Sequence, residues 1–325
     1  MPADRDPFLQ ECLAVARANG LAYAFLRSLE GAGTDVPPAV AAAWARERAA
    51  RDTYERTLDL VQECARAGGF DFAVIKNIWT IPHVPRDVDL FVREAQIPEF
   101  LRALEDRGFE ILYDDPAEIS AAKAGHLRVD LYPRIHYLGR DFLDERMLAD
   151  ARTTEPLDGR VLPTIRADVA FALNSIHSIF GHGALTLLDL LDLRALARRL
   201  GGTAPARAHA EALGWARAFD LWTDRLERLG GRLVGPESPP RFPVRHDRAF
   251  VGRIVSALDG EPLRWRTRAA LRLSLLWDDL LFASEGSGLQ EGLRRSAVAS
   301  SVANATGHRI RTLRGDRKRL GGGSR

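Results

Sequence analysis

The stretch Asp87-Val-Asp-Leu-Phe-Val92 decides the fold. Its apolar residues favour a β-strand, and its two aspartates stand two positions apart, so both carboxylates project from the same face. Val88 and Leu90 then face the core. Two carboxylates held close together repel each other, and a divalent cation between them relieves that repulsion. The stretch therefore predicts a strand with a cation-binding pair; the alternative is the polar face of an ordinary edge strand.

A third carboxylate, Asp130, lies in a later alternating stretch at residues 127–132. If that strand pairs beside the first, Asp130 joins the other two carboxylates. Three oxygen ligands on rigid strands suit two Mg²⁺ ions that promote phosphoryl or nucleotidyl transfer. Alternation also predicts that His126 and Arg128 share the face of Asp130, which makes both candidate substrate contacts.

The surrounding sequence predicts an α/β segment inside an otherwise helical chain. A buried strand at 70–76, a helix at 97–104, a strand at 109–113 and a hairpin at 151–165 are expected. Helices are expected over residues 6–67, 168–200, 204–230, 246–258, 263–284 and 288–305. Within the first of these ranges, Pro37-Pro38 fits the start of a long helix and Gly68-Gly69 its end. The predicted class is α+β, a small mixed sheet flanked by N-terminal helices and a C-terminal helical region. The predicted domains are 1–69, 70–166, 167–306 and a disordered basic tail at 307–325.

Composition narrows the class of protein. The 325 residues include 46 basic and 44 acidic side chains, so no overall nucleic-acid-binding charge is present. The basic tail offers a route to nucleic acid, although a solvated tail is favoured. Two cysteines exclude a disulfide framework and fit a reducing compartment. No signal-peptide pattern or long apolar stretch is found, so the chain is expected to be cytoplasmic, and the histidines lack zinc-ligand spacing.

The runs Val74-Ile-Lys-Asn-Ile-Trp79, Pro85-Arg-Asp-Val-Asp-Leu-Phe-Val92 and Val129-Asp-Leu131 together resemble the polymerase-β-like nucleotidyltransferase superfamily. In that superfamily a strand ends in a Gly-Ser or Lys-Gly turn, Asp-x-Asp follows on the next strand, and a third Asp lies on a later one. Asn77 and Asp87 are ten residues apart, within the usual range. The nearest variety is the bacterial and archaeal group labelled nucleotidyltransferase family protein, and the resemblance covers residues 40–200.

The resemblance implies a role for each matching residue. Asp87 and Asp89 would bind the two Mg²⁺ ions that hold the triphosphate of an NTP such as ATP. Asp130 would complete the second metal site and help to activate the acceptor hydroxyl. Three residues would lie beside the phosphates: Lys76, Asn77 and Arg86. The implied activity moves an NMP from an NTP to an acceptor hydroxyl, on a small molecule, a protein or an RNA, and releases pyrophosphate.

One departure from the superfamily pattern keeps a second reading open. Asn77 stands where the family has Gly, and Ile78 replaces the small residue after it. Gly allows close approach of backbone to phosphate, and Asn adopts a left-handed conformation more readily than other residues. The alternative is therefore a catalytically weakened nucleotide-binding or interaction module, of a regulatory or toxin-neutralising type. His177 and Asp189 are further candidate substrate contacts. The alternatives are that His177 is a structural histidine and that Asp189 belongs to the polar rim of its helix.

Overall fold

The computed structural model describes residues 5–76, 81–115, 118–137, 140–157, 160–181, 184–234, 242–246 and 248–258. The predictions for Asn77 and Ile78, for the helices after residue 258 and for the basic tail lie outside the described residues. The described residues divide into two units: those of 5–134 and 143–258 belong to one, and those of 135–142 belong to the other. The four predicted domains stay a prediction.

The N-terminal region forms three helices, α1 (Arg5–Ala18), α2 (Ala22–Gly31) and α3 (Pro38–Gly68). As predicted, α3 begins at a proline, whose fixed φ suits the first helical turn. It ends at Gly69, whose φ of 65° is left-handed and is costly for a residue with a side chain. The apolar faces of α1 and α2 pack on the start of α3, so these helices share a core.

Among the described residues of 70–165, nine strands follow: β1 (Phe72–Val74), β2 (Asp87–Val92), β3 (Glu110–Asp115), β4 (Glu118–Ala122), β5 (Arg128–Tyr132), β6 (Ile135–Tyr137), β7 (Arg140–Leu143), β8 (Arg152–Leu157) and β9 (Arg160–Ile165). Seven of them form one sheet in the order β3-β4-β5-β2-β1-β9-β8, and β6 pairs with β7. The β2–β5 and β1–β9 pairs are parallel and the others in the large sheet are antiparallel. The predicted α+β class with a mixed sheet is confirmed.

One face of this sheet is apolar and is covered by α3 and by α4 (Ile97–Glu105). Alternation along β2 and β5 sends every second side chain into that layer. The sheet residues of the core are Phe72, Val74, Val88, Leu90, Val92, Ile119, Ala121, Val129, Leu131 and Leu162. Arg160 of β9 adds a polar tie, because its guanidinium donates to Asp59 and Glu55 of α3. The opposite face of β2 and β5 carries the charged side chains of both strands, together with Phe91 and Tyr132.

The remaining helices are α5 (Glu145–Asp150), α6 (Ala167–Ile176), α7 (Leu187–Leu200), α8 (Ala204–Ala212), α9 (Ala216–Val234) and α10 (Arg248–Ser256). A short ladder pairs β10 (Ala184–Leu185) with β11 (Val244–Arg245). The prediction of one helix over 168–200 is wrong, because a π-helical turn at His177–Gly181 and β10 interrupt it. The helix predicted at 204–230 divides at Gly214, whose φ is 70°. No described helix is long and apolar enough to cross a membrane.

Candidate active site

The parallel pairing of β2 and β5 brings the predicted carboxylates to one face. Asp89 is the register partner of Asp130, and Asp87 is the partner of Arg128. Side chains of directly paired residues project from the same face of a sheet, so the three aspartates and Arg128 share the polar face. The prediction that the strand of Asp130 lies beside the strand of Asp87 is confirmed. The catalytic and metal-binding roles of these residues stay predictions.

Lys76 follows β1 and is buried against Asp89. Its Nζ lies 2.5 Å from Asp89 Oδ1 and 3.2 Å from the hydroxyl of Tyr132, and it sits over the Tyr132 ring at 4.3 Å. The side chains of Lys76 and Asp89 are only 8% and 5% exposed. A backbone hydrogen bond holds Lys76 close to Asp89, because the N–H of the preceding residue, Ile75, donates to the Asp89 carbonyl at 3.0 Å. Lys76 is therefore a fixed, buried counter-charge for Asp89 rather than a surface lysine.

Arg128 joins the other two carboxylates. Its Nη2 donates to Asp87 Oδ2 at 2.9 Å and lies 2.8 Å from Asp130 Oδ2. The contact with Asp87 is an aligned hydrogen bond, whereas Asp130 Oδ2 accepts no hydrogen bond and the contact with it is an ion pair. One guanidinium nitrogen thus bridges two carboxylates that belong to neighbouring strands.

Asp130 is the most deeply buried of the three carboxylates. Ser120 on β4 pairs with Asp130 in register, and its hydroxyl donates to Asp130 Oδ1 at 2.5 Å. Burial nevertheless raises the pKa of Asp130 to about 6, against the opposing effects of Ser120 and Arg128. Burial and the charge of Asp89 likewise raise the pKa of Asp87. Burial therefore disfavours the charged form of both carboxyl groups, and the neighbouring cations and the Ser120 hydroxyl offset only part of that effect.

Two predicted contacts lie at the edge of this face or outside it. Arg86 is exposed and directly precedes Asp87, consistent with access to a bound anion. The prediction that His126 shares the face of Asp130 is wrong. β5 begins only at Arg128, and His126 lies in the preceding turn, with Nδ1 3.5 Å from the hydroxyl of Thr57 on α3. The alternation that the sequence suggested does not extend to this histidine.

The two candidate substrate contacts from the C-terminal region, His177 and Asp189, both lie where a helix begins or ends. His177 begins the π-helical turn after α6. Asp189 belongs to the first turn of α7, where its Oδ2 accepts hydrogen bonds from the Thr186 backbone N–H at 2.9 Å and hydroxyl at 2.7 Å. The spacing Thr186-x-x-Asp189 is a capping-box signal that the sequence already contained. A contact of either residue with a substrate stays a prediction.

Sequence reasoning missed Ser120 because β4 itself was not predicted. The strand contains Ser120, Ala121 and Ala122, which are small residues rather than typical strand formers. It inserts between β3 and β5, so it places a hydroxyl donor beside Asp130. The contact of Tyr132 with Lys76 was not predicted either, because it depends on where the chain leaves β1.

The donor chemistry of the polar face fits a divalent cation. Carboxylate oxygens are the ligands that Mg²⁺ prefers, and Asp130 Oδ2 is a buried acceptor without a hydrogen bond. Within the described ranges, however, no three His, Cys, Asp or Glu side chains are grouped so that they could hold a metal ion. Lys76 and Arg128 lie against the carboxylates instead. The donor types of this face suit a metal ion, but one could bind between Asp87 and Asp130 only after Arg128 leaves their oxygens.

Among solved structures, the chain is partly similar to two antibiotic-resistance proteins. The lincosamide antibiotic adenylyltransferase LnuA, in its lincomycin-bound crystal structure, overlaps 44% of this chain and 96% of its own, at 15% identity and a TM-score of 0.34. The antibiotic-resistance factor ANT(2'')-Ia overlaps 53% of this chain and 94% of its own, at 12% identity and a TM-score of 0.38. No protein-family model and no curated protein matches the chain. The choice of a function therefore depends on the geometry of the site.

Proposed function

We propose that the chain is a metal-dependent nucleotidyltransferase, which moves an NMP from an NTP to an acceptor hydroxyl and releases pyrophosphate. One observation carries the proposal: Asp89 and Asp130 are register partners on adjacent parallel strands, and Asp87 lies on the same face. An Asp-x-Asp pair beside a third aspartate is an arrangement of hard ligands suited to triphosphate chemistry. The opposite face of the same strands is sealed by helices, so the reaction belongs to the polar face.

The carboxylates of Asp87, Asp89 and Asp130 would hold the Mg²⁺ ions. When bound, Mg²⁺ would neutralise the charge that develops on the triphosphate as pyrophosphate leaves. Two features suit these residues to Mg²⁺: their donors are carboxylate oxygens, and Asp130 Oδ2 accepts no hydrogen bond. Lys76 contributes by holding Asp89 in one orientation through its short ion pair.

Asp130 would receive the proton of the acceptor hydroxyl. The acceptor oxygen forms a bond to the α-phosphorus, the bond from the α-phosphorus to the bridging oxygen breaks, and pyrophosphate departs with that electron pair. Carboxylates serve as general bases, and Asp130 lies beside Asp89 on the polar face. Ser120 steadies the same carboxylate through the hydrogen bond to its other oxygen.

Transfer of label from an α-labelled NTP tests the proposal. The full chain is incubated with each of the four NTPs, Mg²⁺ and three acceptor classes in turn: small-molecule alcohols, proteins, and RNA. We expect label to move to one class, with one pyrophosphate released per label transferred, and both signals to vanish in Asp89→Asn. Absence of label transfer to every class, from a chain that binds Mg²⁺ and NTP, would contradict the enzymatic proposal.

A second candidate function is a nucleotide-binding or interaction module with weakened catalysis. The observation that favours it is that Lys76 and Arg128 already neutralise the carboxylates on which catalysis would depend. A module of this kind keeps binding its partner when Asp89 is replaced by Asn, whereas the enzyme loses turnover. The same variant therefore separates the two functions.

A further inference from the structure

Arg128 differs from the other cation of the polar face in its freedom to move. Its side chain is 47% exposed, whereas that of Lys76 is 8% exposed. Lys76 is held by Asp89 and by the hydroxyl and ring of Tyr132. The guanidinium of the half-exposed Arg128 contacts carboxylate oxygens of Asp87 and Asp130. An exposed arginine rotates away from such contacts at far lower cost than a buried lysine does.

The position of the guanidinium nitrogen is unusual. A single Nη2 lies 2.9 Å and 2.8 Å from the Oδ2 atoms of Asp87 and Asp130. One atom thus bridges two carboxylates of paired strands, as a shared cation does. Asp130 Oδ2 is buried and accepts no aligned hydrogen bond, so it gains little from the arginine beyond charge. The oxygen is therefore available to a cation that binds it more directly.

We propose that Arg128 is an exchangeable counter-cation, which holds Asp87 and Asp130 together in the metal-free chain and is displaced when a divalent cation binds between them. The inference rests on the proposed function for the presence of a metal, and it adds an internal competitor to that site. Because arginine and metal compete for the same oxygens, the side chain lowers the affinity of the free protein for metal. Lys76 stays on Asp89 throughout, since the buried pair has no comparable route to solvent.

The competition is tested with Mn²⁺ alone, without nucleotide, by electron paramagnetic resonance of the free ion. The full chain is compared with Arg128→Ala and Arg128→Gln, and with Arg93→Ala as a charge-matched control. Arg93 is an exposed arginine that directly follows the other end of β2, so the control removes the same charge without touching the bridge. Circular dichroism checks that each variant is folded; Arg128→Gln keeps most of the side-chain length in case Arg128→Ala is not.

We expect both Arg128 variants to bind Mn²⁺ about tenfold more tightly than the parent chain, because a charge-assisted contact to a carboxylate is lost only from the metal-free state. Arg93→Ala should change the affinity by about twofold at most, since exposed charges are screened. Equal affinity in the parent and the Arg128 variants overturns the inference and leaves the proposed function standing. Tighter metal binding without nucleotidyl transfer supports the inference and overturns the function. Absence of Mn²⁺ binding in all variants overturns both.

Discussion

The two faces of β2 and β5 are made from alternate residues of the same two segments, yet they do different work. On one face Val88, Leu90, Val129 and Leu131 are fully buried under α3 and α4. On the other face, charged side chains are held close together and two carboxyl pKa values are raised. The apolar face stabilises the fold, because buried apolar area contributes about 25 cal/mol per Å². The charged side chains of the polar face lower the free energy of unfolding, and the burial of the helix-covered face offsets that loss.

Because of this difference, we expect substitutions on the polar face to change activity and substitutions on the apolar face to change stability. The largest effect on activity is expected at Asp87. Asp87→Asn should lower nucleotidyl transfer by about a thousandfold, on the scale of losing a preorganised electrostatic group. The free energy of unfolding should change by about 1 kcal/mol at most, since the Asp87–Arg128 pair is partly exposed. Pyrophosphate release and urea unfolding measure the two effects.

Asp59→Asn is the matched control for Asp87→Asn. It also removes an aspartate that pairs with an arginine, but this pair joins α3 to β9 and α3 covers the opposite face of the sheet. Its turnover should equal that of the parent chain. If the two variants lose activity equally, the polar face has no special role.

The second prediction concerns Lys76, whose ion pair with Asp89 is buried. Lys76→Met leaves the Asp89 carboxylate without its cation and should lower the free energy of unfolding by about 3 kcal/mol at pH 7, the cost of breaking a buried pair. The double variant Lys76→Met/Asp89→Asn should recover most of that loss, because no uncompensated charge is left. Urea unfolding of the two single variants and the double variant completes the cycle. Additive effects would show that the two side chains are not coupled.

On the apolar face, Leu90→Ala should lower the free energy of unfolding by about 3 kcal/mol, through lost burial and the cavity that remains. The affinity for Mg²⁺ and NTP should stay within about twofold of the parent at a temperature where the variant is folded, since the side chain points away from the carboxylates. Calorimetric titration at that temperature checks the affinity. A large loss of affinity would mean that the two faces are not independent.

The smallest effect is expected at Asp130, where charge itself is destabilising. A carboxyl group whose folded pKa is raised contributes most stability at low pH and loses it as the pH rises toward the folded pKa, here about 6. Asp130→Asn resembles the protonated form, so its stability relative to the parent should rise by about 2 kcal/mol between pH 4 and pH 7. Urea unfolding at both values measures the rise. A relative stability that does not change with pH would show that the charge of Asp130 is already compensated.

The sequence predicted the elements that depend on local patterns. Alternation placed Asp87 and Asp89 on one face, and the Pro37-Pro38 and Gly68-Gly69 pairs marked the ends of α3. The small residues of β4 lack the composition of a strand, so this strand and its Ser120 were not predicted. The break between α6 and α7 also escaped periodicity, because both flanking segments are rich in leucine and alanine.

The ion pairs of the site could not be predicted from the sequence, for a different reason. The bridge from Arg128 to Asp87 joins residues 41 positions apart and exists only because β2 and β5 pair in one particular register. The burial of Lys76 depends likewise on the point at which the chain leaves β1 beside Asp89. Residue types could be predicted as candidates, but their pairing is a property of the folded sheet.

Isothermal titration of the four NTPs, with and without Mg²⁺, into the full chain and into Asp87→Ala tests whether the three aspartates form a nucleotide site. If the polar face of β2 and β5 is a metal–nucleotide site, at least one NTP binds with micromolar affinity, the binding requires Mg²⁺, and it is lost in Asp87→Ala. Binding of an NTP that is equally tight without Mg²⁺, or that survives in Asp87→Ala, would contradict the account.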